Sequence, residues 1–281
     1  MKGRLLGAAT ALLLAIAGAG HTQELPLPDP QAFLAESLSR LRSNDLVRSG
    51  YTYQEQETRY SRGPDGKVTR TRVRIYEVVP SPEPELTYRR LVSEDGVQPK
   101  DLAKRDADQA RKAREWLARR ELEGLDDRQA RERKRKIEEL KEQAVVGELQ
   151  SIFDIRMTGR DSIDGHPAIG FTFEPRPEYS PRTPEGRVLN HFRGQVWIDE
   201  RDHELARLDV NCLDSVSVKW GFIFRLLKGS RGRIERRKID GEAWLPTYSR
   251  FTGSGRVFFV ARIDLDQESV YSSYRKKDPG Q

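Results

Sequence analysis

The sequence predicts an α+β fold: a curved antiparallel sheet or incomplete β-barrel packed on helices, with an inserted charged helical hairpin. Three observations carry this. Apolar and polar residues alternate at period two through most of residues 51–92 and 152–265, broken by Gly, Asp and Pro turn signals spaced closely enough to make hairpins. A clear helical period appears near the start, over residues 30–47. Between the two strand regions, residues 100–143 hold 15 Lys/Arg and 12 Asp/Glu with no Pro and a single Gly, which reads as solvated helix.

Composition agrees. The charged share of 33% exceeds the roughly 25% of an average globular chain. Four Trp, nine Tyr and ten Phe still suffice for a core. A single cysteine excludes an intrachain disulfide and any multi-cysteine metal cluster.

Taken in order, Met1–Gly20 has the three parts of a secretory signal: Lys2 and Arg4, an Ala/Leu run from Leu5 to Ile16, and Ala17-Gly18-Ala19 as a cleavage region. Polar His21 to Glu24 follow too soon for the ~20 apolar residues of a membrane span. No cysteine lies there to carry a lipid. The expected mature chain is periplasmic, a single domain over 21–281 with its insertion at about 100–145. Loss of Lys2 and Arg4 leaves 48 basic against 44 acidic residues, a net charge of +4.

Asp29 and Pro30 form a cap and first-turn pair, and Phe33, Leu34, Leu38, Leu41 and Val47 then recur at helical spacing. Strands are expected from Tyr51, over Val68–Val79 and over Leu86–Val92, with turns at Gly63-Pro64-Asp65-Gly66 and Glu94-Asp95-Gly96. The insertion reads as two helices, the second capped by Asp126-Asp127, or as one helix broken at Gly124. Strands resume at Ile152–Arg160 and Ala168–Phe173 around Asp164-Gly165, and Pro175 to Pro184 form a loop. Gln195–Asp199 pairs with Leu205–Val210 across a charged turn. Val216–Leu227, Arg231–Ile239, Trp244–Phe251 and Arg256–Leu265 follow, with Gly253-Ser254-Gly255 as a hairpin turn. About ten or eleven strands result.

Catalytic patterns are missing. His21, His166, His191 and His203 stand far apart, outside any metal-ligand spacing, and Asp199 to Glu204 reads as a solvated turn. Cys212 has no evident histidine partner and reads as a small hydrophobe. There is no G-x-S-x-G elbow, dinucleotide fingerprint or P-loop. The expectation is no catalytic residue, no metal and no cofactor.

Two features point to binding. Trp220, Phe222 and Phe224 alternate with Gly221, Ile223 and Arg225, giving a strand whose two faces both need cover. Helix 30–47 can supply that cover as plain core, or an apolar ligand can lie between sheet and helix, with Phe171, Phe173, Trp197, Trp244 and Phe258 lining the same face. Arg225, Lys228, Arg231, Arg233, Arg236, Arg237 and Lys238 set seven basic groups against the single acid Glu235. That stretch is either a solvated strand face or a docking site for anionic membrane, and export disfavours nucleic acid.

The strand Gly194-Gln195-Val196-Trp197-Ile198-Asp199, its following hairpin, and Trp244-Leu245-Pro246 resemble the periplasmic lipoprotein-carrier (LolA/LolB-like) superfamily. The resemblance covers residues 30–95 and 145–275 and omits the charged insertion. It implies an incomplete barrel over helices whose cavity holds acyl chains of lipids or lipoproteins, in a carrier that is not an enzyme. The competing expectation is an envelope scaffold whose charged helices bind a protein partner.

Overall fold

The computed structural model describes residues 26–40, 47, 49–63, 65–81, 83, 86–219, 223–257 and 261–277. The signal segment Met1–Gly20 and residues 41–46 of the first expected helix lie outside them.

Among the described residues, twelve strands form one antiparallel sheet and four helices accompany it. Helix α1 (Pro30–Arg40) starts where Asp29 Oδ1 accepts the Ala32 amide at 2.8 Å. Strands β1 (Tyr51–Arg62), β2 (Val68–Val79) and β3 (Tyr88–Glu94) make the first meander. Helices α2 (Leu102–Glu121) and α3 (Leu125–Ile152) are the insertion. Next come β4 (Phe153–Ile163), β5 (His166–Pro175), α4 (Pro184–Leu189), β6 (Phe192–Asp199) and β7 (Leu205–Cys212). The chain ends with β8 (Val216–Lys219), β9 (Ile223–Leu226), β10 (Arg231–Ile239), β11 (Ala243–Val257) and β12 (Ala261–Lys276).

The strand order is β3-β2-β1-β12-β11-β10-β7-β6-β5-β4, with β8 and β9 attached through β11. The sheet does not close, because β3 and β4 are its two edges. The charged insertion is the connection between those edges: α2 lies against β3, and α3 runs directly into β4. Asp95-Gly96, Asp164-Gly165 and Asp240-Gly241 all have positive φ at both positions, which matches the right-handed twist of tight hairpins.

Four expectations are corrected. Val216–Leu227 is two short paired strands, β8 and β9, rather than one. Gly253-Ser254-Gly255 lies inside β11; a side chain at Gly253 would meet Ser230 Oγ at 2.3 Å, so glycine serves close approach there and not a turn. The second inserted helix begins after Gly124, with Asp126 and Asp127 in its first turn, and continues to Ile152. The proline-rich loop carries α4, where Thr183 Oγ1 accepts the Gly186 amide at 2.9 Å and Pro184 takes the first position.

Cross-strand partners share a face, so one row can be followed through all ten strands of the main path. It runs Met157, Phe171, Val196, Leu208, Ile234, Ser249, Ser269, Glu57, Arg74, Glu94. Five apolar residues are followed by five polar ones. Helix α1 packs on the apolar half of this inner face, through Phe33 on Phe171, Ile169 and Ile198.

Candidate functional site

Beneath α1 lies a cavity of about 400 Å³. Its floor is the inner face of four strands, with Phe153 and Ile155 from β4, Phe173 from β5, Val196 and Ile198 from β6, and Leu205, Leu208 and Val210 from β7. Leu34 and Leu38 of α1 close the top, one helical step from the buried Phe33 and Ser37. Leu149 of α3, Leu189 of α4 and Phe192 at the start of β6 form the end wall. The volume falls within the range of small-molecule sites, and its lining is dominated by aliphatic and aromatic groups.

Two polar residues reach this lining. Ser37 spends its hydroxyl on the Phe33 carbonyl at 2.8 Å. His203, on the β6–β7 turn at φ 55°, lays its ring 4.5 Å from that of Phe33 and points Nε2 at Glu36 Oε2, 3.5 Å away. Among the described residues, nothing else in the lining can offer a hydrogen bond from a side chain, so the cavity suits hydrocarbon.

The end wall is held by Glu148. Its carboxylate accepts from Thr183 Oγ1 at 2.6 Å, from the Tyr179 hydroxyl at 3.0 Å, and from the Arg182 and Thr183 amides. The Thr183 hydroxyl leads these donors in holding the Glu148 carboxyl down at about 2, against the opposing effect of burial. The last turns of α3 are thereby fastened to the α4 loop, which fixes Leu149 against Leu189.

Of the expected ligand residues, Phe173 lines the cavity. Phe171 is fully buried beside it, in the layer joining α1 to the sheet. Trp197 lies on the opposite face. Val196 and Ile198 take the inward positions, and the indole stands over Gly170, with Nε1 donating to Asp161 at 3.1 Å and the Arg207 guanidinium 4.8 Å above the ring. Trp244 is buried outside the lining and donates to Asp202 Oδ2 at 2.7 Å. Lys238 also reaches that carboxylate at 2.7 Å; burial pushes Asp202 up, and Lys238 and Trp244 outweigh it, leaving the group below its ordinary value. Trp220, Phe222 and Phe258 lie outside the described residues, as does the side chain of Phe224 in β9.

The basic stretch divides. Arg233 pairs with Asp209, Arg236 faces Glu204, Arg237 takes both oxygens of Asp164, and Lys238 meets Asp202. Arg225, Lys228 and Arg231 surround the β9–β10 turn, exposed and without a carboxylate partner among the described residues. Cys212 is buried and its thiol donates to the Asp214 carbonyl at 2.9 Å; burial pushes it up, away from the reactive thiolate. No cluster of His, Cys, Asp and Glu able to hold a metal occurs among the described residues, and no described helix is long and apolar enough to cross a membrane.

Sequence reasoning missed most of the lining. Leu208 and Val210 carried a legible signal, since they alternate with Arg207 and Asp209, whereas Leu205 breaks that parity and reaches the lining through the register shift at Trp197/Ile198. Leu149 and Leu189 carried none, because their helix ends sat within a charged segment and a proline loop.

No protein-family model matches the chain, and no curated protein matches it by sequence. Among solved structures it is similar to a DUF1329 family protein from Desulfovibrio piger, at 14% identity and a TM-score of 0.30, covering 90% of this chain and 95% of that one. It is also similar to a LolA superfamily protein from Nitrosomonas europaea, at 7% identity and 0.29, again over 90% and 95%. A third similarity is to a domain from Vibrio parahaemolyticus named for outer membrane lipoprotein sorting, at 9% identity and 0.31, over 88% and 95%.

Proposed function

We propose that this protein binds acyl chains of lipids or lipoproteins in the periplasm and carries them without catalysis. The apolar cavity under α1 supports this reading above every other feature. Among the described residues its lining is aliphatic and aromatic apart from Ser37, whose hydroxyl is spent on the Phe33 carbonyl, and His203, whose Nε2 faces Glu36. Helix α1 acts as the lid. The aromatic and aliphatic layer around Phe33 and the Glu36–His203 contact hold it to the sheet, while its outer side is solvated, so it can lift without unfolding the strands.

Arg225, Lys228 and Arg231 dock the carrier on anionic membrane. At about 1 kcal/mol for each Lys or Arg near such a surface, three groups give reversible contact and no stable anchor.

Native mass spectrometry of protein purified without detergent, followed by organic extraction, tests the proposal. A bound mass recovered as lipid in the extract is the expected result. A protein that takes up no lipid, even after incubation with total envelope lipid, overturns it and leaves a scaffold acting through α2 and α3 as the better reading.

A further inference from the structure

The polar half of the inner face is built from arginines over buried acids. On β2, Arg70, Arg72 and Arg74 point to this face at period two. Arg59 of β1 is the direct cross-strand partner of Arg72, and its Nε meets Glu57 Oε1 at 3.0 Å and donates to Gln267 Oε1 at 3.1 Å. Arg89 of β3 completes the set, donating to Glu55 at 2.8 Å and Glu57 at 2.9 Å with its guanidinium 3.5 Å over the Tyr76 ring. The acids lie beneath: Glu57 is 3% exposed, whereas the Arg59 side chain is 49% exposed. Glu94 is shared by Arg72 and Arg74, at 3.3 and 3.2 Å, one negative charge against two positive ones. Five guanidiniums therefore stand over Glu55, Glu57 and Glu94, and Arg70 has no partner among the described residues.

This surplus shares a face with the cavity. From Leu208, the row reaches Glu57 through Ile234, Ser249 and Ser269, four strand spacings or about 19 Å along the sheet. Ile234, at the boundary, is 40% exposed. The inner face thus changes from hydrocarbon to positive charge along one continuous surface. An extended amphiphile matches that order from tail to head.

We infer that Arg59, Arg70 and Arg72 receive the anionic head of an amphiphile whose acyl chain enters the cavity under α1. The inference rests on the proposed acyl-chain function and adds the ligand class: a phosphate-headed lipid in preference to a neutral one. Guanidiniums suit this role, since their planar forks bind phosphate oxygens in pairs.

The test compares three probes on the full mature chain by calorimetry: 1-oleoyl lysophosphatidic acid, 1-oleoylglycerol, and glycerol 3-phosphate. The first two share the oleoylglycerol frame and differ by the phosphate, and the third is the head alone. Lysophosphatidic acid is expected to bind about tenfold tighter than oleoylglycerol, the equivalent of one good charged contact. The Arg70→Gln and Arg72→Gln double variant should erase most of that advantage and leave oleoylglycerol unchanged. Arg70→Gln alone, at an exposed and unpaired position, should erase part of it with the melting temperature unaltered. Equal binding of the two lipids by the natural chain overturns the head site while leaving the acyl-chain function intact. An advantage that survives the double variant overturns the assignment to these arginines. Glycerol 3-phosphate binding as tightly as lysophosphatidic acid overturns the link between head site and cavity, and failure of both lipids to bind overturns the acyl-chain function and this inference with it.

Discussion

Phe33 of α1 stacks on Phe171 of β5, with ring centroids 6.0 Å apart and planes 23° from parallel. Helix α1 is short, so packing of this kind must hold it to the sheet. Both rings are nearly inaccessible to solvent. Phe33→Ala is expected to cost about 3–5 kcal/mol of α1 docking, which exceeds what an eleven-residue helix supplies by itself. Hydrogen exchange should show the α1 amides losing protection while those of β5 keep theirs. Equal loss in both would mean that α1 and the sheet open as one unit.

Glu148 makes the end wall sensitive to acid. Its folded carboxyl sits at about 2, below the ordinary 4.5, so it binds a proton less readily when folded. A depressed folded value contributes stability that is complete above about pH 4.5 and falls away towards about pH 2. Glu148→Gln should cost about 1–3 kcal/mol at neutral pH, because the backbone and hydroxyl donors lose their carboxylate. Denaturant titrations at pH 7 and pH 3 should show the gap between natural chain and variant narrowing at the lower pH.

Trp197 belongs to the outer face, so it should not govern ligand affinity. Trp197→Phe keeps much of the ring and removes the hydrogen bond to Asp161, a loss of about 1 kcal/mol. Fatty-acid affinity measured by fluorescence displacement should stay unchanged. A large fall in affinity would place the indole in the ligand's path.

The basic stretch should act through three residues. Charge reversal at Arg225, Lys228 and Arg231 should weaken co-sedimentation with anionic vesicles, and added salt should weaken the natural chain similarly. Arg233→Gln and Arg237→Gln should leave sedimentation nearly unchanged, because Asp209 and Asp164 already neutralise those groups. Matched effects in both sets would contradict this division.

Local chemistry made much of the fold legible. Asp-Gly pairs marked hairpin turns because both positions need positive φ, and Gln195–Asp199 met Leu205–Val210 because their alternation buries one face of each. Where contact is distant, the signal vanished. Gly253 looks like a turn residue until Ser230 is seen against it, and Trp197 looks like lining until Gly170 is found beneath its ring. The meeting of Arg70, Arg72 and Arg74 with Arg59 and Glu94 requires strand register, which no single strand encodes.

The central claim is that an acyl chain occupies the space under α1. Titration of a dansyl-labelled fatty acid against the natural chain and Leu208→Trp tests it most directly, since the larger side chain fills the cavity from its floor. Saturable one-to-one binding by the natural chain, lost in a folded Leu208→Trp variant, is the predicted result. Undiminished binding by that variant would contradict the account, because the chain would then lie elsewhere on the protein.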